Sequence, residues 1–231
     1  MLLGKITIFH TFYNQHSMLS KHFASWTQHP RDSFEYILVD DCSPETITEE
    51  CPNANLSIVR VNQDIPWNIA GARNLGFHLA KTEWVFCGDI DHVVTPEAAK
   101  QILALDLSDP NIVYKFRRIS NPDGYIGCEA IINILMNRNR FFEVGGYDED
   151  FSGNYGKEET FFRHCLERHR LKLIQCDHIS LDWHPKSGAT HGLKRDKTIN
   201  GKLFEEKMVS LKRGGYKNGT ILRFGWKLLG S

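Results

Sequence analysis

Short apolar runs alternate with helical spacings through the first half of the chain. Ile6–Phe9 reads as a strand, and Ser17 then caps a helix in which Leu19, Phe23 and Trp26 fall at i, i+4 and i+7. Tyr36–Val39 is a continuous apolar run that stops at Asp40-Asp41, and Leu56–Val61 is a second β-rich run. Ala72, Leu75 and Leu79 mark another helix, Glu83–Cys87 a buried strand ending in Gly88-Asp89, and Pro96 opens a helix through about Leu105. Strand–helix repetition of this kind predicts an α/β fold: a Rossmann-like, mostly parallel sheet with helices on both faces.

The second half patterns differently. Phe141–Phe151 is turn-rich and is followed by Gly153-Asn-Tyr-Gly156-Lys-Glu-Glu, after which Phe161, Phe162, Cys165, Leu166 and His169 form one helix face. No repeat or low-complexity linker interrupts the chain, so residues 1–231 are expected to form a single domain. Its last segment, about 202–231, reads as a basic helical tail: seven Lys and Arg stand against Glu205 and Glu206, with Phe224, Trp226, Leu228 and Leu229 interleaved. Such a tail can lie peripherally on an anionic membrane, or pack on its own domain or a partner subunit in an oligomer. Gly214-Gly215 and Gly219 weaken the membrane reading.

Composition narrows the function classes. Lys and Arg total 28 and so do Asp and Glu, leaving no net charge and no global basic field to hold nucleic acid. No apolar stretch approaches the ~20 residues of a membrane span, and the first residues lack a basic segment before a long apolar one, so a cytoplasmic protein is expected. The six cysteines (Cys42, Cys51, Cys87, Cys128, Cys165 and Cys176) form no Cys-x-x-Cys pair, which fits reduced thiols.

Candidate chemistry gathers at strand ends, where open α/β sheets bind their ligands. One predicted strand ends in Asp40-Asp41 and another in Asp89-Ile-Asp91. In an extended segment Asp89 and Asp91 share a side, where hard carboxylate oxygens can hold Mg²⁺ or Mn²⁺ against a substrate diphosphate. Between the two lies Trp67-Asn-Ile-Ala-Gly71-Ala-Arg73-Asn74-Leu-Gly76. Its small residues either let backbone approach a ligand, with Arg73 as a phosphate fork, or simply pack a helix start.

Taken together, Thr11-Phe-Tyr13-Asn14, Asp40-Asp41-Cys-Ser43, Gly71-Ala-Arg73-Asn74-x-Gly76 and Asp89-x-Asp91 resemble the GT-A glycosyltransferases of family 2. Gly145–Glu159 is similar to the Gly-Trp-Gly-Gly-Glu-Asp segment of β-1,4-galactosyltransferases and polypeptide N-acetylgalactosaminyltransferases, with Tyr155 where those carry Trp and Glu159 where they usually carry Asp. The resemblance implies an inverting, metal-dependent transferase that moves a sugar from a nucleotide-diphospho-sugar, most readily a UDP-sugar, to a glycan or lipid-linked acceptor. It implies that Thr11, Tyr13, Asp40 and Asp41 line the nucleotide, that Arg73 steadies it, and that Asp89 faces ribose and metal. Asp91 would be a metal ligand and Glu159 the general base, with Glu158 on the sugar or acceptor. The two glutamates also make an ordinary acidic first helical turn. His184 is the implied third metal ligand, with His178 and His191 as rivals, and Trp183 beside it suits either a sugar face or the core. A sugar nucleotidyltransferase and a non-catalytic nucleotide- or carbohydrate-binding module are the alternatives. His10–Asn14 lacks the basic glycine-rich signature the first needs, and the second needs no base or diphosphate metal.

Overall fold

In the computed structural model, residues 5–49, 55–127, 131–185, 194–219 and 221–229 are described. The first half folds as the pattern predicts. Strands β1 (Ile6–Phe12), β2 (Phe34–Asp40), β3 (Leu56–Val61) and β4 (Trp84–Asp89) pair in parallel in the order β3-β2-β1-β4. Helices α1 (His16–Trp26), α2 (Ile69–Leu79) and α3 (Pro96–Leu103) connect or follow them. Helix α1 begins one residue ahead of the expected Ser17 cap, and Gln15 in the N-cap position makes no side-chain bond to the helix. Helix α3 has the expected Pro and a Thr95 cap that accepts from the Ala98 amide, but it stops short of Leu105 as its last amides bond only three residues back.

Side-chain alternation splits the core in two. Ile8, Tyr36, Leu38, Trp84 and Phe86 face α1 and α3, whereas Phe9, Ile37, Val39, Val85 and Cys87 face α2 and the later helices. Gly76 lets α2 approach β1 closely, because a Cβ there would overlap the Phe9 ring, and a Cβ at Gly71 would meet Asn68 and Phe224. These glycines pack the helix rather than cradle a ligand.

The second half extends the same sheet through β5 (His92–Val93), β6 (Ile112–Ser120), β7 (Ile126–Gly127), β8 (Ile134–Asn137) and β9 (Lys172–Trp183). Helices α4 (Arg138–Glu143) and α5 (Glu158–Arg168) lie between β8 and β9. Antiparallel β8 joins β4 to β6, and β9 runs parallel to β6, giving the order β3-β2-β1-β4-β8-β6-β9-β5.

The C-terminal segment departs from expectation. Helix α6 (Thr198–Lys212) ends well before residue 231, and Trp226–Leu228 forms an antiparallel edge strand, β10, on β3. Phe224 is buried with Val59, Val61 and Ala70, so the aromatic positions serve the domain's own core. Lys207 pairs with Asp148 and Asp150, and Arg223 also pairs with Asp150. No helix among the described residues is long and apolar enough to cross a membrane. The described cysteines Cys42, Cys87, Cys165 and Cys176 are free thiols, and Cys51 and Cys128 lie outside the described residues.

Candidate active site

The carboxyl ends of β1, β2 and β4 and the start of α5 open onto one cavity of about 650 Å³. Thr11, Tyr13, Asp41, Arg73, Asp89, Asp91, Glu158 and Glu159 all line it. Asp40 and His184 do not.

The two strand-end aspartates of β2 have separate roles. Asp40 is fully buried; its carboxylate accepts from the Ser43 amide and hydroxyl and pairs with Arg60. Ser43 in turn accepts from the Asn14 amide at 2.9 Å, tying the β1 and β2 loops together. Asp40 is thus a loop clasp, set away from the cavity in which a nucleotide contact was expected. Asp41 faces the cavity and accepts from Asn68 at 2.9 Å. Burial pushes its carboxyl up to about 8, although the Asn68 bond opposes the shift. Tyr13 is half-buried at the same end, and burial also raises its phenol.

Arg73 carries the centre of the site. Its side chain is fully buried on α2, its guanidinium lies 5.2 Å from the Tyr147 ring centre, and Nη2 donates to Asp89 at 2.8 Å and Glu159 at 2.9 Å. Burial disfavours the charge, but Asp89, Tyr147 and Glu159 more than offset that and hold the group cationic. Nε and Nη1 have no hydrogen-bond partner among the described residues. Asp89 also accepts from the Thr11 hydroxyl at 3.2 Å. Burial raises the Glu159 carboxyl despite the opposing Arg73, and burial with the neighbouring Glu159 pushes Glu158 up to about 7. One guanidinium therefore links the carboxylate at the end of β4 to the one at the start of α5.

Asp91 lies beyond a single residue. Trp183 Nε1 donates to Oδ2 at 3.2 Å, and His92 Nδ1 lies 2.6 Å from Oδ1. Burial alone would raise this carboxyl, but His92, Trp183 and Arg118 hold it below the usual range. Two groups pack on Trp183: His92 is parallel to it at 5.9 Å, and the Arg118 guanidinium lies 4.3 Å from its ring centre. Trp183 thus orients Asp91.

His184 follows on the opposite side. Its Nε2 is 3.2 Å from Asp182, and it lines a separate shallow groove with Lys21, Ser25 and Asn121. The expected trio of Asp89, Asp91 and His184 is not assembled, and no group of three or more His, Cys, Asp or Glu among the described residues is arranged around a metal position. His178 is exposed on β9 outside the cavity, and His191 falls outside the described residues. Asp89 and Asp91 still offer two hard oxygen donors on one wall. That fits Mg²⁺ or Mn²⁺, which complete their shells with water and phosphate oxygens.

Several positioning residues escaped sequence reasoning. The Asn74 amide brackets the Tyr147 peptide, donating to its carbonyl and accepting from its N–H at 2.9 Å each. Gly146 permits that approach: its φ is +66°, and a Cβ would crowd the Asn74 oxygen. Buried Glu149 accepts from Asn74 and from the Leu222 and Arg223 amides, binding α2, the turn before α5 and the C-terminal segment into one unit. Asn200 donates to the carbonyls of Phe151, Asn154 and Gly156, fixing the loop that delivers Glu158 and Glu159.

A sheet whose strand ends present an Asp-x-Asp segment opposite a helix-borne glutamate pair has the architecture of the GT-A enzymes. The chain belongs to glycosyl transferase family 2, whose model matches residues 7–162. It is 29% identical over 100 residues to an uncharacterized glycosyltransferase of Haemophilus influenzae, a match covering 43% of this chain and 34% of that protein. The chain thus spans about a third of that relative's length.

Solved structures share the fold at low identity. The Staphylococcus aureus TarS fragment 1–349 with UDP-GlcNAc superposes with a TM-score of 0.74 at 14% identity, covering 90% of this chain and 66% of that one. GalNAc-T7 with UDP, GalNAc and Mn²⁺ gives 0.71 at 16%, covering 95% and 52%. The mannosyltransferase PcManGT of Pyrobaculum calidifontis with GDP-Man and Mn²⁺ gives 0.61 at 17%, covering 81% and 59%.

Proposed function

We propose that this protein is an inverting glycosyltransferase that uses a nucleotide-diphospho-sugar, a UDP-sugar before others, and a hydroxyl acceptor on a glycan or lipid-linked carrier. The observation that carries the reading is the Asp89–Arg73–Glu159 bridge, which couples a donor-side carboxylate to a helix-borne base across one cavity. Thr11, Tyr13, Asp41 and Asn68 would receive the base and ribose. Nucleotide sugars or UDP in the similar structures support that placement.

Asp89 and Asp91 would hold the divalent ion, which when bound neutralises charge on the departing diphosphate. Glu159 takes the proton from the acceptor hydroxyl as the new glycosidic bond forms and the bond to the diphosphate breaks from the opposite face. Arg73 holds one of its oxygens and so aims the other, an orienting role that a general base needs. Glu158, close to half protonated near neutral pH, can donate to or accept from a sugar hydroxyl.

The test is calorimetric titration of UDP, GDP, CDP and dTDP with Mn²⁺ and then with EDTA, followed by nucleotide release from the corresponding sugars. Metal-dependent UDP binding with slow UDP-sugar hydrolysis is the expected result. A preference for another nucleotide would reassign the donor, and binding of none would overturn the reading.

A further inference from the structure

We propose that Arg118 is a second handle on the donor's diphosphate, one that works without the divalent ion and is carried on the same tryptophan that orients Asp91. This rests on the reading of the cavity as a glycosyl-transfer site. Arg118 lies on β6 and lines the cavity together with Asp89, Asp91 and Glu159. Its guanidinium carbon is 4.3 Å from the Trp183 ring centre, and Trp183 Nε1 donates to Asp91 at 3.2 Å. One indole thus supports the cation by its ring and the metal-wall carboxylate by its N–H.

The guanidinium is built in and left unpaired. Arg118 stands opposite Gly127 in the β6–β7 register, and a Cβ on that glycine would lie 2.6 Å from Nε, so β7 leaves room for the arginine. Nε is shut off from solvent without a hydrogen-bond partner, and the side chain forms no ion pair with any described residue. A guanidinium set against a ring keeps its in-plane N–H groups for an acceptor, and their fork matches two phosphate oxygens.

Two carboxylates are near enough to feel the charge. Arg118 is among the groups that hold Asp91 low, and it also opposes the rise of Glu159. Neither bonds to it: Asp91 meets Trp183 and His92, and Glu159 meets Arg73. The other cations of the cavity face elsewhere. Arg73 is bonded to Asp89 and Glu159, the Lys157 ammonium lies over the Phe204 ring at 4.9 Å, and Arg195 and Lys197 lie by the Tyr155 ring. Asp41, Asp64, Asp89, Asp91, Glu158 and Glu159 all line the same cavity, so a diphosphate entering it needs a cation that is not already paired. As the bond from the sugar's anomeric carbon to the β-phosphate oxygen breaks, its electron pair stays on that oxygen, and a fixed guanidinium beside it stabilises the growing charge.

The test is calorimetry of UDP, UMP and pyrophosphate on wild type, Arg118→Met and Arg118→Gln, each in EDTA and in Mn²⁺. In EDTA wild type should bind UDP about tenfold more tightly than UMP, the size of one charge-assisted contact. Both variants should lose that preference and bind pyrophosphate about tenfold more weakly. Their UMP affinity, which reports an intact nucleotide pocket, should stay unchanged. Arg118→Gln decides the matter if the methionine variant folds poorly.

Equal binding of UDP and UMP by wild type in EDTA overturns the proposal, as does a preference that the variants keep or an equal loss of UMP affinity. A loss seen in Mn²⁺ alone does so too, because Arg118 would then only brace Trp183 and Asp91. Failure of both nucleotides to bind wild type in Mn²⁺ overturns the glycosyl-transfer reading instead, and the pyrophosphate arm still decides whether Arg118 takes a diphosphate.

Discussion

Replacing Arg73 by methionine removes the guanidinium that Asp89 and Glu159 both contact, at 2.8 and 2.9 Å, inside a fully buried position. A hydrogen bond to a charged group contributes about 1.5–3 kcal/mol, and one pKa unit corresponds to about 1.4 kcal/mol. Losing Arg73 should therefore raise the Glu159 carboxyl, already lifted by burial, further still. A larger share of the base then carries a proton at a given pH, and turnover should fall by about 10–100-fold, the size of one lost charge-assisted bond, and recover as the pH is raised.

Stability should move with it. A carboxyl whose folded pKa lies above its unfolded one stabilises the fold while protonated, and that contribution is lost as pH rises through the folded value. The variant should therefore lose stability on alkaline titration at higher pH than wild type, on top of a loss of ~3–5 kcal/mol for breaking a buried ion pair. The assay is nucleotide release from donor across the pH range, paired with thermal unfolding at each point. Arg73→Met/Asp89→Asn removes one stranded carboxylate and keeps the question open if the single variant folds poorly. An acid limb that stays in place while donor KM rises would refute the reasoning, and Arg73 would then be a diphosphate ligand.

Four further outcomes are expected. Glu159→Gln should cut turnover by about 10²–10⁴-fold with donor affinity nearly unchanged, whereas Glu158→Gln should act mainly on KM for sugar or acceptor, as initial-rate kinetics would show. Asp41→Asn should weaken UDP binding about ten- to a hundredfold by calorimetry. The same variant should also abolish a fall in wild-type melting temperature as pH rises toward 8, since the buried acid stabilises the fold only while protonated. Asp91→Ala should eliminate the difference between Mn²⁺ and EDTA titrations of UDP without lowering the melting temperature appreciably. Asp40→Ala, which strands Arg60, should cost ~3–5 kcal/mol in denaturant unfolding and leave UDP affinity intact; the reverse pattern would return Asp40 to the nucleotide pocket.

How much of this was legible depends on the range of the interaction. The parallel strands and α1–α3 follow from local periodicity, and the strand-end carboxylates follow from where such strands stop. The tail was misjudged because Phe224 and Trp226 carry no sign of partnership with β3, far away in sequence. The twin aspartates looked equivalent, yet Ser43 and Arg60 take Asp40 inward while Asp41 faces the cavity. Asn74 and Glu149 fall inside the quoted motifs but without a role, and Asn200 gave no signal, because their work is done on backbone groups of distant turns.

The error at His184 follows from where the strands stop. Successive side chains of an extended segment point to opposite faces, so residues 182 and 184 share one face and 183 takes the other. His92 pairs with Trp183 in register, and the His184 amide donates to the Asp91 carbonyl at 2.8 Å, which brings this segment alongside the Asp-x-Asp turn. Carried one step further, that register would set Asp91 opposite His184 on one face and His92 opposite Trp183 on the other, so alternation alone favours the histidine. But Ile90-Asp91 is a turn and His184 lies one residue past β9, so neither side chain follows the pleat: Asp91 meets Trp183 Nε1, and His184 meets Asp182. An Asp-x-Asp read as extended backbone therefore points to the histidine, and the turn at Ile90-Asp91 is what gives Asp91 the tryptophan instead.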